Sequence, residues 1–373
     1  MKKICFIVSN PFFANAFLYE PINSLSKNYD VYLICNTKNK DLIKIDNPNI
    51  KKLISIKIIR TISPYYDFLT FFEICKTIRK EKFDVVHTLT PKAGLLGMMA
   101  SYFMKVPNRF HTFTGQVWIS KKGFLKSLLI SLDRLVINLS TQIIVDGNSQ
   151  KEFLIEKKIL KKDNATVFYN VSTCGLDLKK FKPNIEIRKK ERFYYKISDS
   201  ATVFLYLGRL NLDKGIKELI ESFLILNKEN SYLFLVGPDE MDITEYMSKK
   251  GNNFNLIHIP YTSQPQNILQ LCDVFCFPSY REGFGYSVIQ ASALEKPIIC
   301  SDIYGLKYTC IDNETGLKHK VKSTKSLLEK MKFAIEKPQI MKQFGKRGRI
   351  YVEENFSEKK VLQKWNAFYA KHV

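Results

Sequence analysis

The residues best suited to chemistry lie in two strand–loop–helix stretches of the second half. The first reads Tyr206-Leu207-Gly208-Arg209-Leu210-Asn211-Leu212-Asp213-Lys214-Gly215-Ile216. An apolar, β-prone run ends in Gly-Arg, and a Lys-Gly pair further on opens a helical pattern. Arginine supplies a planar fork of donors, lysine a point charge. A helix N-terminus adds unpaired backbone N–H groups and the positive end of the dipole. Together they suit a diphosphate. The plainer reading is a solvated pair of cations beside acids. No GxxxxGK[ST] occurs, so this is not a Walker loop.

The second stretch is Phe277-Pro278-Ser279-Tyr280-Arg281-Glu282-Gly283-Phe284-Gly285-Tyr286-Ser287-Val288-Ile289-Gln290. Gly283 and Gly285 let a backbone approach a ligand closely. Glu282, at the loop mouth, can accept hydrogen bonds from sugar hydroxyls. Gln290 lies about one helical turn beyond Ser287 and can reach a ribose. The plainer reading makes Glu282 a helix-end charge and Gln290 a surface amide. Two phosphate-suited units in one domain weigh against that.

The elements around them repeat one pattern. Ile4–Val8, Val31–Cys35, Lys57–Ile59, Val85–His87, Arg109–Thr112 and Ile143–Val145 read as strands. Phe17–Leu25, Phe68–Arg79, Lys92–Met104 and Phe124–Leu139 read as helices between them. Residues 170–200 break the alternation with Cys174-Gly175, Lys182-Pro183 and the charged run Arg188–Arg192. Strands then resume at Val203–Tyr206, Tyr232–Val236, Leu256–Ile259, Val274–Phe277 and Pro297–Cys300. Helices resume at Ile216–Leu226, Asn267–Leu271, Ser287–Ala293 and Ser323–Ile335. Apolar strands without polar alternation imply sheets covered on both faces, with parallel strands joined by crossover helices. The expected fold is α/β: two doubly wound, Rossmann-like domains facing a central cleft. The expected division is 1–185, 186–355 and a final amphipathic helix, 356–373, packing back across the junction.

Composition narrows the class. A chain of 373 residues with 45% apolar side chains has material for two cores, which excludes disorder. Lys plus Arg number 58 and Asp plus Glu 36, a net charge of +22. Residues 1–187 hold 29 basic and 15 acidic side chains, so +14 of that excess is N-terminal. Such a balance implies an anionic partner: nucleic acid, lipid or a phosphorylated substrate. The eight cysteines form no CxxC pair and read as reduced core thiols of a cytosolic protein. Ile4–Val8 is too short for a leader, and Leu125–Val145 is interrupted by Asp133-Arg134, so no membrane span is expected.

The two loop segments resemble the signature of retaining glycosyltransferases of family 4, which adopt the GT-B fold. That family carries G-R-(x)4-K-G, intact here as Gly208–Gly215. It also carries two glutamates separated by seven residues, here Glu282 and Gln290. Val236-Gly237-Pro238, Thr315-Gly316, Pro91-Lys92-Ala93-Gly94 and His111-Thr112-Phe113-Thr114-Gly115 extend the resemblance to bacterial surface-polysaccharide transferases. It implies a nucleotide-sugar donor, expected to be a UDP-sugar, held mainly by the C-terminal domain. Arg209 and Lys214 would hold the departing diphosphate, and Glu282 and His111 the transferred sugar. Gly208, Gly215, Gly283, Phe284, Gly285 and Gln290 would line the donor site. Gln290 keeps one acceptor but lacks the usual charge.

The resemblance implies retention of anomeric configuration. No DxD pair stands at a strand end, and Asp239-Glu240 reads as lying elsewhere. A metal-independent reaction is expected, with no cofactor beyond the donor substrate. The loop Ser9–Asn15 lacks the paired glycines common in the family, so an unusual acceptor side is expected. Tyr65–Phe72 and Trp118–Lys126 mix aromatic and cationic residues and suit an anionic leaflet. The plainer reading of Phe68–Phe72 is ordinary core. The expected acceptor is a polyprenyl-diphosphate-linked saccharide at the cytoplasmic face. Three rivals stand: a nucleic-acid-binding protein, which lacks any recognisable module, a GT-B sugar-nucleotide epimerase, and an inactive relative.

Overall fold

A computed structural model describes the chain except residues 38–44, 46, 60, 172 and 249–254 and the side chains at 244, 247 and 248. It divides into two compact units, Met1–Gly175 with Glu358–Val373, and Leu176–Ser357.

In the first unit six parallel strands are ordered β3-β2-β1-β4-β5-β6. They are β1 (Lys3–Ile7), β2 (Asp30–Cys35), β3 (Lys52–Ser55), β4 (Val85–Leu89), β5 (Asn108–Phe113) and β6 (Gln142–Val145). Ile4 to Ile7 are fully buried, as the unbroken apolar run requires. The third strand falls earlier than the expected Lys57–Ile59.

The second unit repeats the design in the order β12-β11-β10-β7-β8-β9. Its strands are β7 (Thr202–Leu207), β8 (Ser231–Val236), β9 (Leu256–Ile259), β10 (Val274–Phe277), β11 (Ile298–Ser301) and β12 (Gly316–His319). All described pairings in both sheets are parallel. Strand order reverses between β1 and β4, and again between β7 and β10. Crossovers leave such a point in opposite directions, which opens a crevice beyond the strand ends. Both chemistry-bearing loops flank the β7/β10 reversal.

The charged run Arg188–Arg192, inside the expected break in the alternation, is part of a helix, Ile185–Tyr194, capped by Asn184. Its cations dock on their own unit. Arg188 Nη1 donates to the carbonyls of Gln270, Leu271 and Cys272, each at 2.9 Å. Lys296 Nζ reaches the carbonyls of Gln270 and Cys272 at 2.9 Å. Arg192, only 2% exposed, donates to Leu271 O and pairs with Asp273. These carbonyls end a 3-10 turn, Leu269–Leu271, where positive charge is favoured. The helix Ile185–Tyr194 lies within the unit Leu176–Ser357.

The closing helix, Glu358–His372, belongs to the first unit. Trp365 and Tyr369 are fully buried. Trp365 meets Phe168 at 5.3 Å, His87 at 5.5 Å and Phe6 at 6.0 Å between ring centroids. Trp118, expected on a docking surface, is instead a core side chain at 2% exposure. It stacks on Phe153 and donates to Asp133 Oδ2 at 2.8 Å. Burial pushes the Asp133 carboxyl up to about 6 despite that bond.

Trp365→Ala removes the indole that joins the closing helix to the sheet. It is expected to cost about 3–5 kcal/mol, read as a lowered thermal midpoint by circular dichroism. An unchanged midpoint would show that the helix adds nothing to this core.

Candidate functional site

The β7 loop is shaped by its glycines. Gly208 has φ +155° and Gly215 φ +68°. A Cβ on Gly215 would stand 2.2 Å from the Pro278 carbonyl oxygen. Only glycine allows the backbone after β7 to run this close to the backbone after β10. Tyr280 N donates to Asp213 O at 2.8 Å, and Arg281 Nε to Asp213 Oδ2 at 3.0 Å. The two loops are thus laced together, and Lys214 forms an ion pair with Glu282. Both side chains are largely buried, at 17% and 13% exposure. The Lys214 ammonium also lies 5.7 Å from the centroid of the Phe277 ring.

Arg209 is held differently. Its Nη1 donates to both carboxylate oxygens of Glu240, at 2.8 and 2.7 Å. Asn211 Nδ2 donates to Glu240 Oε2 at 2.8 Å. Glu240, which the sequence alone sets apart from this loop, stands beside it. The adjacency of β7 and β8 brings its loop alongside, with Glu240 N bonded to Leu210 O at 2.8 Å. Gly237 permits that approach, since a Cβ there would meet Gly208 O at 2.0 Å. Tyr206, buried beneath, donates to Arg209 O at 3.0 Å.

After β10, Gly283 and Gly285 are buried, and the helix Tyr286–Ala293 starts at Gly285. A Cβ on Gly285 would meet Leu306 Cδ2 at 2.4 Å, so its smallness serves packing within the loop. The Phe284 ring packs edge-on against Phe356, with centroids 5.4 Å apart. Gln290 is half-buried, and no hydrogen bond to its side-chain amide is found among the described residues. Arg209, Lys214, Glu282, Gly208, Gly215, Gly283, Phe284, Gly285 and Gln290 thus share one end of one sheet.

His111 lies in the other unit, on β5. It is 2% exposed and its Nδ1 shares a hydrogen bond with Thr88 Oγ1 at 2.8 Å. Helix Pro91–Phe103 covers it: a Cβ on Gly94 would stand 2.4 Å from His111 Cε1. Nε2 has no partner among the described residues. His87 differs, since Tyr369 Oη and Thr112 Oγ1 occupy its two nitrogens, each at 2.7 Å. That is a satisfied core histidine. Burial lowers both imidazoles to about 3. The loop at Ser9 begins with Asn10 capping the turn Pro11–Phe13, followed by a π-helical segment, Ala14–Leu18. Among the described residues, no three His, Cys, Asp or Glu gather as a metal site.

Two doubly wound parallel sheets in one chain are the GT-B architecture. Residues 14–171 match the family description Glycosyltransferase Family 4, and residues 187–351 match Glycosyl transferases group 1. The chain is 31% identical to the capsular polysaccharide biosynthesis glycosyltransferase CapM of Staphylococcus aureus, over 92% of this chain and 90% of that one. It is 28% identical to a UDP-Gal:alpha-D-GlcNAc-diphosphoundecaprenol alpha-1,3-galactosyltransferase of Escherichia coli, over 75% and 73%. Sucrose-phosphate synthase of Thermosynechococcus elongatus superposes with a TM-score of 0.82 at 19% identity, covering 100% and 99%. The chain belongs to the family 4 glycosyltransferases.

The buried histidines make a signed prediction. A histidine held neutral, with a folded pKa of about 3 against an ordinary 6.5, contributes stability that is present above 6.5. That stability is lost as pH falls towards 3. His111→Gln is expected to show a shallower fall of the urea midpoint between pH 7 and pH 5 than the parent. Parallel falls would contradict neutral burial.

Proposed function

We propose that this chain moves a sugar, with retention and without a metal ion, from a nucleoside-diphosphate sugar to a polyprenyl-diphosphate-linked saccharide. The setting would be bacterial surface-polysaccharide synthesis. One observation carries the reading: Arg209 and Lys214 both lie on the loop that leaves β7 at the strand reversal, where an α/β sheet binds its ligand. Charge develops on the departing diphosphate, and fixed cations lower that barrier directly. Two cations can fill the part a magnesium ion plays elsewhere. Glu282 would accept from the sugar hydroxyls while its bond to Lys214 fixes its direction. Gln290 would meet the ribose with its unclaimed amide, and His111 would offer Nε2 to the sugar. The Escherichia coli relative's name supports UDP as the nucleotide and a lipid diphosphate as the acceptor.

The surface of the first unit supports a lipid-borne acceptor. Helices Pro64–Glu81 and Pro91–Phe103 pack together, and Phe71 meets Phe103 at 5.8 Å. Contrary to the reading of Phe68–Phe72 as core, Phe68 is 63% and Phe72 52% exposed. Tyr65, Tyr102 and Phe103 are exposed nearby. Lys57 lies over the Tyr66 ring and Arg109 over Tyr102. Aromatic side chains among cations suit the headgroup region of an anionic leaflet. Among the described residues no helix is long and apolar enough to cross a membrane.

Two experiments test this reading. Lys214→Ala is expected to cut transfer at least a hundredfold while keeping the far-ultraviolet circular-dichroism spectrum of the folded parent at assay temperature, after a thermal-shift panel of UDP-, GDP- and ADP-sugars has fixed the donor. Full activity in that variant would sink the diphosphate assignment. Flotation with vesicles rich in anionic lipid should recover the parent, and Phe68→Ser/Phe72→Ser much less. Equal recovery with neutral vesicles would remove the leaflet from the proposal.

A further inference from the structure

The bonds around Arg209 leave part of its guanidinium unclaimed. Nη1 is taken by Glu240, at 2.8 and 2.7 Å from its two oxygens. Nε and Nη2 have no partner among the described residues. A guanidinium presents a side edge, Nε with Nη2, whose two parallel N–H groups match two oxygens of one phosphate. Glu240 sits off that edge. It is itself fixed by Asn211 Nδ2 at 2.8 Å and by its own N–H to Leu210 O at 2.8 Å. The main chain of Arg209 is pinned from below by Tyr206 Oη at 3.0 Å.

We propose that Glu240 and Asn211 are positioning residues for the transfer reaction, turning the Nε–Nη2 edge of Arg209 toward the outer phosphate of the nucleoside diphosphate. The inference rests on the reading of this loop as the diphosphate site. The opposite role for Glu240 is a competing anion that a diphosphate must displace. Geometry decides against it, because carboxylate and phosphate use different donors of one fork and need not exclude each other. The Arg209–Glu240 pair is also about one-third exposed on each side, which screens repulsion between Glu240 and the incoming charge. What Glu240 supplies is restraint. A free arginine side chain loses its rotamer freedom on gripping a ligand, whereas one already held loses less.

The test is calorimetric binding of UDP, GDP and ADP, each beside its monophosphate, to the full-length protein. Glu240→Ala is expected to weaken the preferred diphosphate about tenfold and to leave the monophosphate unchanged. Its diphosphate-to-monophosphate preference then falls by the same factor. Glu240→Gln keeps an acceptor for Nη1 and is expected to retain most of the affinity. Asn211→Ala should weaken diphosphate binding in the same direction by less, and it guards against misfolding in Glu240→Ala. Tighter diphosphate binding in Glu240→Ala would show a competing anion and overturn the proposal. Unchanged diphosphate binding in both alanine variants would overturn it too. Arg209→Ala separates the two levels. If it leaves diphosphate binding intact, the site reading itself fails. If it weakens binding while the Glu240 variants do not, only the positioning role fails.

Discussion

The close approach of the backbone at Gly215 to the carbonyl of Pro278 is the constraint on which the site depends. No side chain fits there, and the left-handed φ at 215 suits glycine on a second ground. With this contact made, Asp213 meets Tyr280 and Arg281, and Lys214 faces Glu282. A single missing Cβ therefore brings into one place two residues that are 68 positions apart in the chain.

The same device works between β7 and β8. Gly237 lets the two backbones meet at Gly208, and Glu240 then reaches Arg209. Each cation consequently has a carboxylate partner on a neighbouring loop. The partners are not equivalent. Lys214 and Glu282 are mostly shielded from water, where a Coulomb attraction is screened less. Arg209 and Glu240 are more open to solvent, and their pairing constrains direction more than it adds energy. The cations and their carboxylates are thus tied to one another across three loops.

The first unit follows another logic. Its reversal point lies beyond β1 and β4, where Ser9 Oγ bonds Thr90 Oγ1 at 2.7 Å. His87 and His111 look alike in the chain, each within a β-prone run. One is saturated by Tyr369 and Thr112, while the other, beneath Gly94, has no partner for Nε2 among the described residues. Nothing local separates them, because Tyr369 arrives from the closing helix at the far end of the chain.

The sequence by itself determined the doubly wound architecture, the parallel sheets and the two loops with their cations. Those features depend on apolar runs, helical periodicity and short spacings, all local properties. The helix over Arg188–Arg192 was not legible, since a run of charge shows no apolar periodicity and the carbonyls it meets come from residues 270–272. Of the two aromatic stretches with a docking-surface reading, Phe68 is exposed and Trp118 is core, because a hydrophobic side chain does not state which face of its element is covered. Glu240 carried no local sign of its pairing with Arg209. Only the sheet order, by laying β8 beside β7, decided that its carboxylate meets Arg209, because contacts between distant segments are set by which strands become neighbours.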